Sequence, residues 1–404
     1  MANAIISRRG GGGYATVKFE NYGHNLSLSK SSAPSLNTGR SGMGATTVGN
    51  YALFAGGTVN DGESYSWGVD TYDSSLTKGL LTNLVAGVAN LGAATIGNYA
   101  LFAGGYASGG TYSASVCAYD KSLSKSTPTS LSYARYGLKG TTVGDYAIFG
   151  PGFGNPSSNK IDAYNSNLSR STPTATMSFS TYGYAATTVG NYAIFAMTTY
   201  TDAFDSNLVK STPTKLSVSR QNLSATTIGD YALFAGGYIY NAGARYFSTV
   251  DVYTKDLVLS TATSLSEDRQ DAGATTVAEW ALFGAGYRHD SSGNPAYSSR
   301  VDVYNNDLTR TTASSLSSGV STINATTVGD YALFGGGILY PSITSSSAVT
   351  AYKRPYTNIY TYKDAKYKFQ HMDEEVTATG RVSTLSIPAP VNGYIKFKNT
   401  TIIP

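Results

Sequence analysis

The residues best placed to do chemistry in this chain are five aspartates that recur at matching positions. Each stands near the start of a similar short β-type run, so five carboxylates occupy one position of a repeated unit. A ring of carboxylates is one interpretation. Recurrence from copy to copy instead favours a structural role, in which each carboxylate accepts hydrogen bonds from the backbone of an adjoining turn. The five are Asp70, Asp162, Asp202, Asp251 and Asp302.

Four arginines and the single cysteine follow the same periodicity. Arg40, Arg135, Arg220 and Arg269 recur just before the first strand of a repeat, where we expect them to pair between repeats. The alternative is contact with an anionic ligand. Cys117 occupies the aspartate position of the second repeat and is expected to be an inert thiol within a strand.

No metal, cofactor or catalytic site is expected. One cysteine excludes an intramolecular disulfide and a cysteine-based zinc cluster. The three histidines, His24, His289 and His371, are far apart in the sequence, which argues against a His-rich metal site. Phosphate-binding loops, His-Glu-x-x-His helices and Gly-x-Ser-x-Gly elbows are also missing from the sequence. The sequence therefore predicts a protein that is not an enzyme.

Composition narrows the partners. Of the 404 residues 13% are charged, against about 25% in an ordinary soluble domain. A net charge of +4 is too small to indicate nucleic-acid binding. No apolar run approaches a membrane span, so no membrane insertion is expected. The apolar residues Ala4, Ile5 and Ile6 precede a basic glycine-rich stretch, the reverse of the order in a secretory signal.

An internal repeat organises most of the chain. A block reading A-T-T-V-G-[N/D]-Y-A-L-F recurs seven times at intervals of 39 to 51 residues. A second block, V-D-[V/A]-Y-[D/N]-x-x-L, and a third, S-T-P-T-x-L-S, follow it. The first block occupies 45–54, 93–102, 140–149, 186–195, 225–234, 274–283 and 325–334.

Each block predicts one or two short strands. The runs are rich in Thr, Val, Tyr and Phe, and the Gly-Asn or Gly-Asp pair between Val and Tyr predicts a tight hairpin. Four short strands repeated seven times predict an all-β fold, a seven-bladed β-propeller. Because the later blocks number one more than the hairpins, we expect an N-terminal strand to complete the seventh blade and leave no exposed edge there.

The repeat resembles the kelch motif. The second run ends in a double glycine, as at Gly56-Gly57 and Gly236-Gly237, a Tyr-containing strand follows, and an arginine precedes the next repeat. The resemblance covers about 17–352 and implies a propeller. Kelch motifs usually have a tryptophan past the tyrosine, where this chain has pairs such as Lys125-Ser126. The copper ligands of kelch-like radical oxidases have no counterparts here, so the resemblance implies no activity.

The connections between second and third strands vary most and are predicted to share one face with the connections between repeats. Binding residues concentrate on such loops, and Tyr, Ser, Gly and Asn suit adaptable recognition surfaces. Solvated loops whose tyrosines pack on their neighbours are the alternative. The candidate ligand-binding residues are Tyr65, Trp67, Tyr106, Tyr112, Tyr238, Tyr240, Arg245, Tyr246, Arg288, His289, Asp290, Tyr297 and Tyr340.

The two ends differ from the repeats. Residues 1–16 are expected to form a glycine-rich basic tether, 17–352 the propeller, and 353–404 a C-terminal β extension or docking segment. The last of these contains 8 Lys/Arg and 4 Asp/Glu, and therefore the whole net positive charge. The β patterns at 359–369 and 381–397 suit either partner docking or a strap packed on the repeats.

The functional prediction is a non-enzymatic structural or binding protein of a bacteriophage virion. The repeats are similar to kelch-type repeats of phage tail proteins, and a tail or baseplate component that binds host surface glycans would need no export signal. Its partners would be other virion proteins, held through either end in a multi-subunit assembly. The alternatives are a bacterial adhesin on the cell surface, a protein-interaction propeller in the cytoplasm, and a carbohydrate-active enzyme.

Overall fold

The fold of the described residues is all β. The computed structural model describes residues 17–19, 28–62, 64–154, 158–241, 243–354, 356–361, 367–371, 374–378, 385–388 and 396–397. Contacts divide the chain into two compact units, Lys30–Tyr352 and Met1–Ser29 with Lys353–Pro404. Two single 3-10 turns, Asn60–Gly62 and Ser108–Gly110, are the helical elements of the described part. The predicted tether, 1–16, lies outside the described residues.

Seven antiparallel four-stranded sheets, numbered 1 to 7 by the order of their first strands, make up the unit Lys30–Tyr352. The predicted hairpin between the first and second strands is confirmed. In sheet 1, Val48 pairs with Tyr51 across a two-residue turn, and Gly49 has a φ of 52°. The first strands are Gly44–Val48, Gly92–Ile96, Gly140–Val143, Ala185–Val189, Ser224–Ile228, Gly273–Val277 and Asn324–Val328. The second strands are Tyr51–Ala55, Tyr99–Ala103, Tyr146–Phe149, Tyr192–Met197, Tyr231–Ala235, Trp280–Gly284 and Tyr331–Gly335.

The second block of the repeat forms the third strand, and the residues after it form the fourth. The third strands are Val69–Asp73, Val116–Asp120, Asp162–Asn165, Tyr200–Asp205, Val250–Thr254, Val301–Tyr304 and Val349–Lys353. The fourth strands of sheets 1 to 6 are Lys78–Leu80, Lys125–Ser126, Arg170–Ser171, Lys210–Ser211, Leu259–Ala262 and Arg310–Ala313. In sheet 7 the fourth position is filled by Ser29–Ala33, which lies beside Val349–Lys353. Sheet 7 therefore combines strands from both ends of the repeat region.

A cycle of threonine hydrogen bonds links the seven first strands. The second threonine of each T-T pair, or its equivalent, donates its hydroxyl hydrogen to the carbonyl of the corresponding residue in the preceding sheet. Thr95 donates to Thr47, for example, and Thr47 donates to Thr327. The remaining five steps are Thr142 to Thr95, Thr188 to Thr142, Thr227 to Thr188, Thr276 to Thr227 and Thr327 to Thr276. The Thr-Thr motif is therefore the sequence signal for contacts between sheets.

Buried tyrosines of the third strands anchor each sheet to the connection before it. Tyr253 is fully buried, packs edge-on against Phe234, and donates its hydroxyl hydrogen to the Thr214 carbonyl at 2.6 Å. This arrangement satisfies a polar group at the packed boundary between sheets. Tyr72, Tyr119, Tyr164, Tyr304 and Tyr352 make the equivalent bonds, whereas sheet 4 has Phe204 instead.

The repeated aspartates have the structural role predicted for them. Each accepts a hydrogen bond from a backbone N–H in the connection that leads into its own sheet, as Asp251 does from Ser217 at 3.2 Å. The other four donors are Asn37, Ser132, Ser178 and Ser266.

The repeated arginines pair within a repeat, and the expectation that they pair between repeats is wrong. Arg220, on the connection into sheet 5, bonds to Asp251 of sheet 5 at 2.7 Å, and both side chains are fully buried. The guanidinium also donates to the carbonyls of Phe234 and Gly236, which satisfies its remaining donors. The equivalent pairs are Arg40–Asp70, Arg135–Asp162 and Arg269–Asp302.

The second compact unit also contains strands. Val17–Phe19 pairs with Tyr356–Thr361, which pairs with Leu385–Pro388. Tyr367–His371 pairs with Glu374–Ala378 and with Lys396–Phe397. Strands thus occur in both segments whose sequence patterns predict β structure.

Candidate binding face

The variable connections between second and third strands form short hairpins that extend the sheets at one end. These hairpins also pair with the connections between sheets, as where the backbone N–H groups of Tyr136 and Phe153 each donate to the other's carbonyl. The pairing brings side chains from both kinds of connection onto one surface, which we call the binding face. The hairpin strands are Thr58–Val59 with Ser64–Tyr65, Tyr106–Ala107 with Thr111–Tyr112, Tyr238–Tyr240 with Ala244–Tyr246, and Tyr287–His289 with Pro295–Tyr297.

Six aromatic rings on sheets 1 to 4 form a continuous group, the first arc. Tyr136 lies at its centre, with ring centroids 5.2 Å from Tyr106, 5.4 Å from Tyr112 and 5.6 Å from Tyr182. Tyr182 is 45% exposed and its ring is stacked on that of Tyr136, so one end of the arc presents an open aromatic face. The members are Tyr65, Tyr106, Tyr112, Tyr136, Phe153 and Tyr182.

A second arc lies on sheets 5 to 7. Tyr246 stands at its centre, with its ring centroid 4.9 Å from that of His289 and 5.6 Å from that of Tyr287. Burial and neighbouring tyrosines raise the pKa of Tyr246 well above its ordinary value. The members are Tyr238, Tyr246, Tyr287, His289, Tyr297 and Tyr340.

Eight of the thirteen predicted residues therefore lie in the two arcs, and five lie outside them. Trp67 and Tyr240 are exposed. Arg245 covers the Phe247 ring at 5.1 Å, and Arg288 pairs with Glu267 at 3.6 Å. The Asp290 carboxylate accepts backbone N–H groups of Ser292 and Asn294, and these bonds, chiefly that from Asn294, hold its pKa below the usual range. Arg288 and Asp290 therefore have local structural partners.

Sequence reasoning missed four members of the arcs. Tyr136 and Tyr182 come from the connections between sheets, where each precedes the glycine that leads into a first strand. These connections were expected on the same face, so the shared Tyr-Gly pair was an available signal. Phe153 and Tyr287 lie in variable loops that were identified, but neither residue was singled out.

The first strands of all seven sheets surround a central space, the channel, which opens on the binding face. Its mouth is lined by one residue from each sheet with a left-handed backbone: Gly42, Asn90, Gly137, Gly183, Asn222, Asp271 and Thr322. Most are linked head to tail by backbone hydrogen bonds, as where the Asn222 N–H donates to the Gly183 carbonyl at 2.6 Å. A positive φ suits Gly, Asn and Asp, which explains most of the residue choices.

The mouth holds a cavity of about 300 Å³ with one cationic and one acidic side chain among its described lining residues, Lys139 and Asp271. Burial raises the pKa of Asp271 to about 6, against the opposing effects of Lys139 and a hydrogen bond from Asn222. Lys139 lines the channel and keeps exposed surface there, and desolvation by the surrounding residues lowers the pKa of its ammonium, against the opposing effect of Asp271.

The described residues offer no metal centre of three or more His, Cys, Asp or Glu side chains. Cys117 is buried, and burial raises the pKa of its thiol, which disfavours the reactive thiolate. Within the described part of the chain, no helix is long and apolar enough to cross a membrane.

Comparison with known proteins identifies the fold alone. No family model matches the chain, and no curated protein matches it in sequence. Among solved structures, one titled "Structure of YjhT" is similar over 82% of this chain and 99% of its own, with a TM-score of 0.51 and 10% identity. The likeness supports an all-β, propeller-like architecture and, at this identity, carries no activity to this chain.

Proposed function

We propose that this chain is a non-enzymatic, glycan-binding seven-bladed propeller whose ligands dock on the binding face. The seven sheets would be the blades, and the cyclic threonine bonds support a closed ring. The kelch resemblance fits the same arrangement.

The observation that carries the proposal is the pair of aromatic arcs beside a polar channel mouth. Exposed aromatic rings stack against the C–H faces of sugar rings, and amide and hydroxyl groups nearby bond to sugar hydroxyls. Tyrosine supplies this contact area at a small cost in conformational entropy, since few torsions are fixed on binding. Tyr182, at the open end of the first arc beside the cavity, is the best-placed platform.

The charges of the face favour binding over hydrolysis. Most glycosidases need two carboxyl groups on either side of the scissile bond. Among the described lining residues of the cavity, Asp271 is the one carboxylate. Glu267, nearby on the face, is engaged by Arg288, Arg300 and Ser298.

A glycan array with the purified full-length chain tests this function. We expect binding to a subset of glycans, with a loss of about tenfold for Tyr136→Ala or Tyr182→Ala, the equivalent of about 1.4 kcal/mol. Tyr231→Ala is the matched control, because Tyr231 begins the second strand of sheet 5 at the hairpin turn, the end of that strand away from the binding face. Absence of any glycan binding would refute the proposal, and release of a sugar product from a bound glycan would refute its non-enzymatic part.

We further propose that the chain is a tail or baseplate component of a phage virion and meets host glycans with this face. The weakly charged repeats and the Tyr-, Ser- and Gly-rich loops support an exposed recognition role. Mass spectrometry of particles purified from the source tests the placement. Recovery of the chain with virion proteins is expected, and recovery only from cell envelopes or cytosol would contradict it.

A further inference from the structure

Two side chains at the channel mouth depart from the repeat. At the Lys139 position the other sheets have small or amide residues: Gly44, Gly92, Ala185, Ser224, Gly273 and Asn324. At the Asp271 position they have Gly, Asn or Thr. Each charge is therefore absent from six of the seven repeats, and five repeats form with neither of them.

Neither charged group is used to hold the ring together. The Lys139 ammonium has no hydrogen-bond or ion-pair partner among the described residues. The Asp271 carboxylate accepts one long side-chain bond, from Asn222 at 3.5 Å. By contrast with Lys139 and Asp271, the side chains of Arg220 and Asp251 bond directly to each other at 2.7 Å. Both groups line the cavity and are without close partners, so they are available to a ligand, and charged groups placed in this way concentrate at functional sites.

The chemistry of the cavity selects its ligand. With one ammonium and one carboxylate, the lining has no net charge, which favours an uncharged ligand over an anion or a cation. Lys139 donates, Asp271 accepts, and the amides of Asn90 and Asn222 do both. A hydroxyl group can accept from an ammonium and donate to a carboxylate. The apolar lining that keeps exposed surface, the rings of Tyr136 and Tyr182, offers contact for C–H groups.

The volume of the cavity also favours a small, single-ring ligand. A cavity of about 300 Å³ is at the lower end of the range for small-molecule sites, about 300–1,000 Å³, and suits a single ring better than a chain of rings. Tyr136 and Tyr182 belong both to the first arc and to the cavity lining. A glycan stacked on the first arc could therefore place its terminal residue in the mouth.

We propose that the channel mouth is a subsite for one neutral, hydroxyl-rich sugar residue, which bridges Lys139 and Asp271. The inference rests on the proposed glycan-binding function and specifies the part of the ligand that enters the ring. Lys139 and Asp271 bind the hydroxyl edge of the sugar, and the apolar lining contacts its C–H groups.

Saturation-transfer NMR with the full-length chain and a mixture of free neutral hexoses and N-acetylhexosamines tests the subsite. Transfer to at least one neutral sugar is expected, with its loss in both Lys139→Ala and Asp271→Asn. Lys255→Ala is the control, because Lys255 is exposed and pairs with exposed Asp230, outside the cavity lining. Both test variants introduce a residue that other sheets have at the same position, Ala as at Ala185 and Asn as at Asn90 and Asn222.

The outcomes separate this inference from the proposed function. No transfer to any neutral sugar, or transfer unchanged in either variant, would overturn the subsite. If the array shows binding that depends on Tyr136 and Tyr182 while free sugars show no transfer, only the subsite fails. If the array also shows no binding, both proposals fail. Unchanged thermal unfolding of the variants would separate loss of the ligand from loss of the fold.

Discussion

The hydroxyl of Thr47 lies 2.9 Å from the hydroxyl of Thr326, which follows it 279 residues later. Thr47 also donates to the carbonyl of Thr327. The same pair of contacts joins neighbouring sheets elsewhere: Thr227 lies 2.8 Å from the Thr187 hydroxyl and donates to the Thr188 carbonyl. The boundary between sheets 1 and 7 is therefore built like a boundary between consecutive repeats.

Replacement of this threonine by the isosteric valine tests whether the ring is closed in solution. Thr47→Val and Thr227→Val should each lower the free energy of unfolding by about 1–3 kcal/mol, because each leaves a carbonyl without its donor. Urea unfolding measures the free energy of unfolding of both variants and of the wild type. Equal losses are expected of a closed ring, whereas a neutral Thr47→Val beside a costly Thr227→Val would show that sheets 1 and 7 are apart.

The buried Arg220–Asp251 pair should be costly to break and much less costly to replace. Asp251→Ala leaves a buried guanidinium without its partner and should cost about 3–5 kcal/mol. The chain contains its own double replacement: sheet 2 has Val88 and Cys117 at the equivalent positions, both buried. Arg220→Val with Asp251→Cys should therefore cost less than Asp251→Ala alone. Chemical denaturation measures the free energy of unfolding of both variants. A double variant less stable than Asp251→Ala would contradict the argument.

The turn of sheet 6 has an alanine at a position that favours glycine. Ala278 has a φ of 48°, in the region that a Cβ disfavours. Ala278→Gly should raise the free energy of unfolding by about 0.5–1 kcal/mol. Gly97→Ala is the reverse change at a φ of 53°, where a Cβ would meet only Ser166 at an ordinary 3.4 Å, and it should be destabilising by a similar amount. Thermal unfolding that moved both variants in the same direction would refute this explanation.

Asp271 should make stability fall as pH rises. Its pKa is about 6 in the folded chain against an ordinary value of 3.8, so between these values the folded state holds a proton that the unfolded state has released. The loss of stability from ionised Asp271 is absent below pH 3.8 and complete above pH 6. Two pKa units correspond to about 3 kcal/mol, which the partial exposure of Asp271 reduces to about 1–2 kcal/mol.

The measurement is unfolding at several pH values for the wild type and Asp271→Asn. The variant should lose this pH dependence and be the more stable form at neutral pH. Lys139, Tyr136, Tyr182 and Tyr184 are the other titratable groups of the cavity lining. Lys139→Ala removes a charge that lowers the pKa of Asp271, so it should shift the fall in stability to higher pH. An unchanged profile in both variants would contradict the assignment to Asp271.

Local chemistry explains what could be read from the sequence. The Val-Gly-Asp-Tyr runs predicted the hairpins because a two-residue turn with glycine has few alternatives, and the recurrence of Asp251 and its equivalents predicted a structural role. The two aromatic arcs could not be predicted from the sequence in the same way. Tyr136 and Tyr287 meet their neighbours only once separate connections pair, and no spacing along the chain encodes that contact. Lys139 was missed because its significance comes from the small residues opposite it in six other repeats.

The outermost strand of sheet 7, Ser29–Ala33, is synthesised before sheets 1 to 6, and its partner Val349–Lys353 is made some three hundred residues later. Sheets 1 to 6 can form in turn as the ribosome releases them. Sheet 7 has to wait, with its edge unsatisfied, until translation of the repeats is complete. A ribosome stalled anywhere in the repeats would hold an incomplete set of sheets with open strand edges, a state prone to aggregation. The last step in forming the seven sheets would then be the pairing of Ser29–Ala33 with Val349–Lys353.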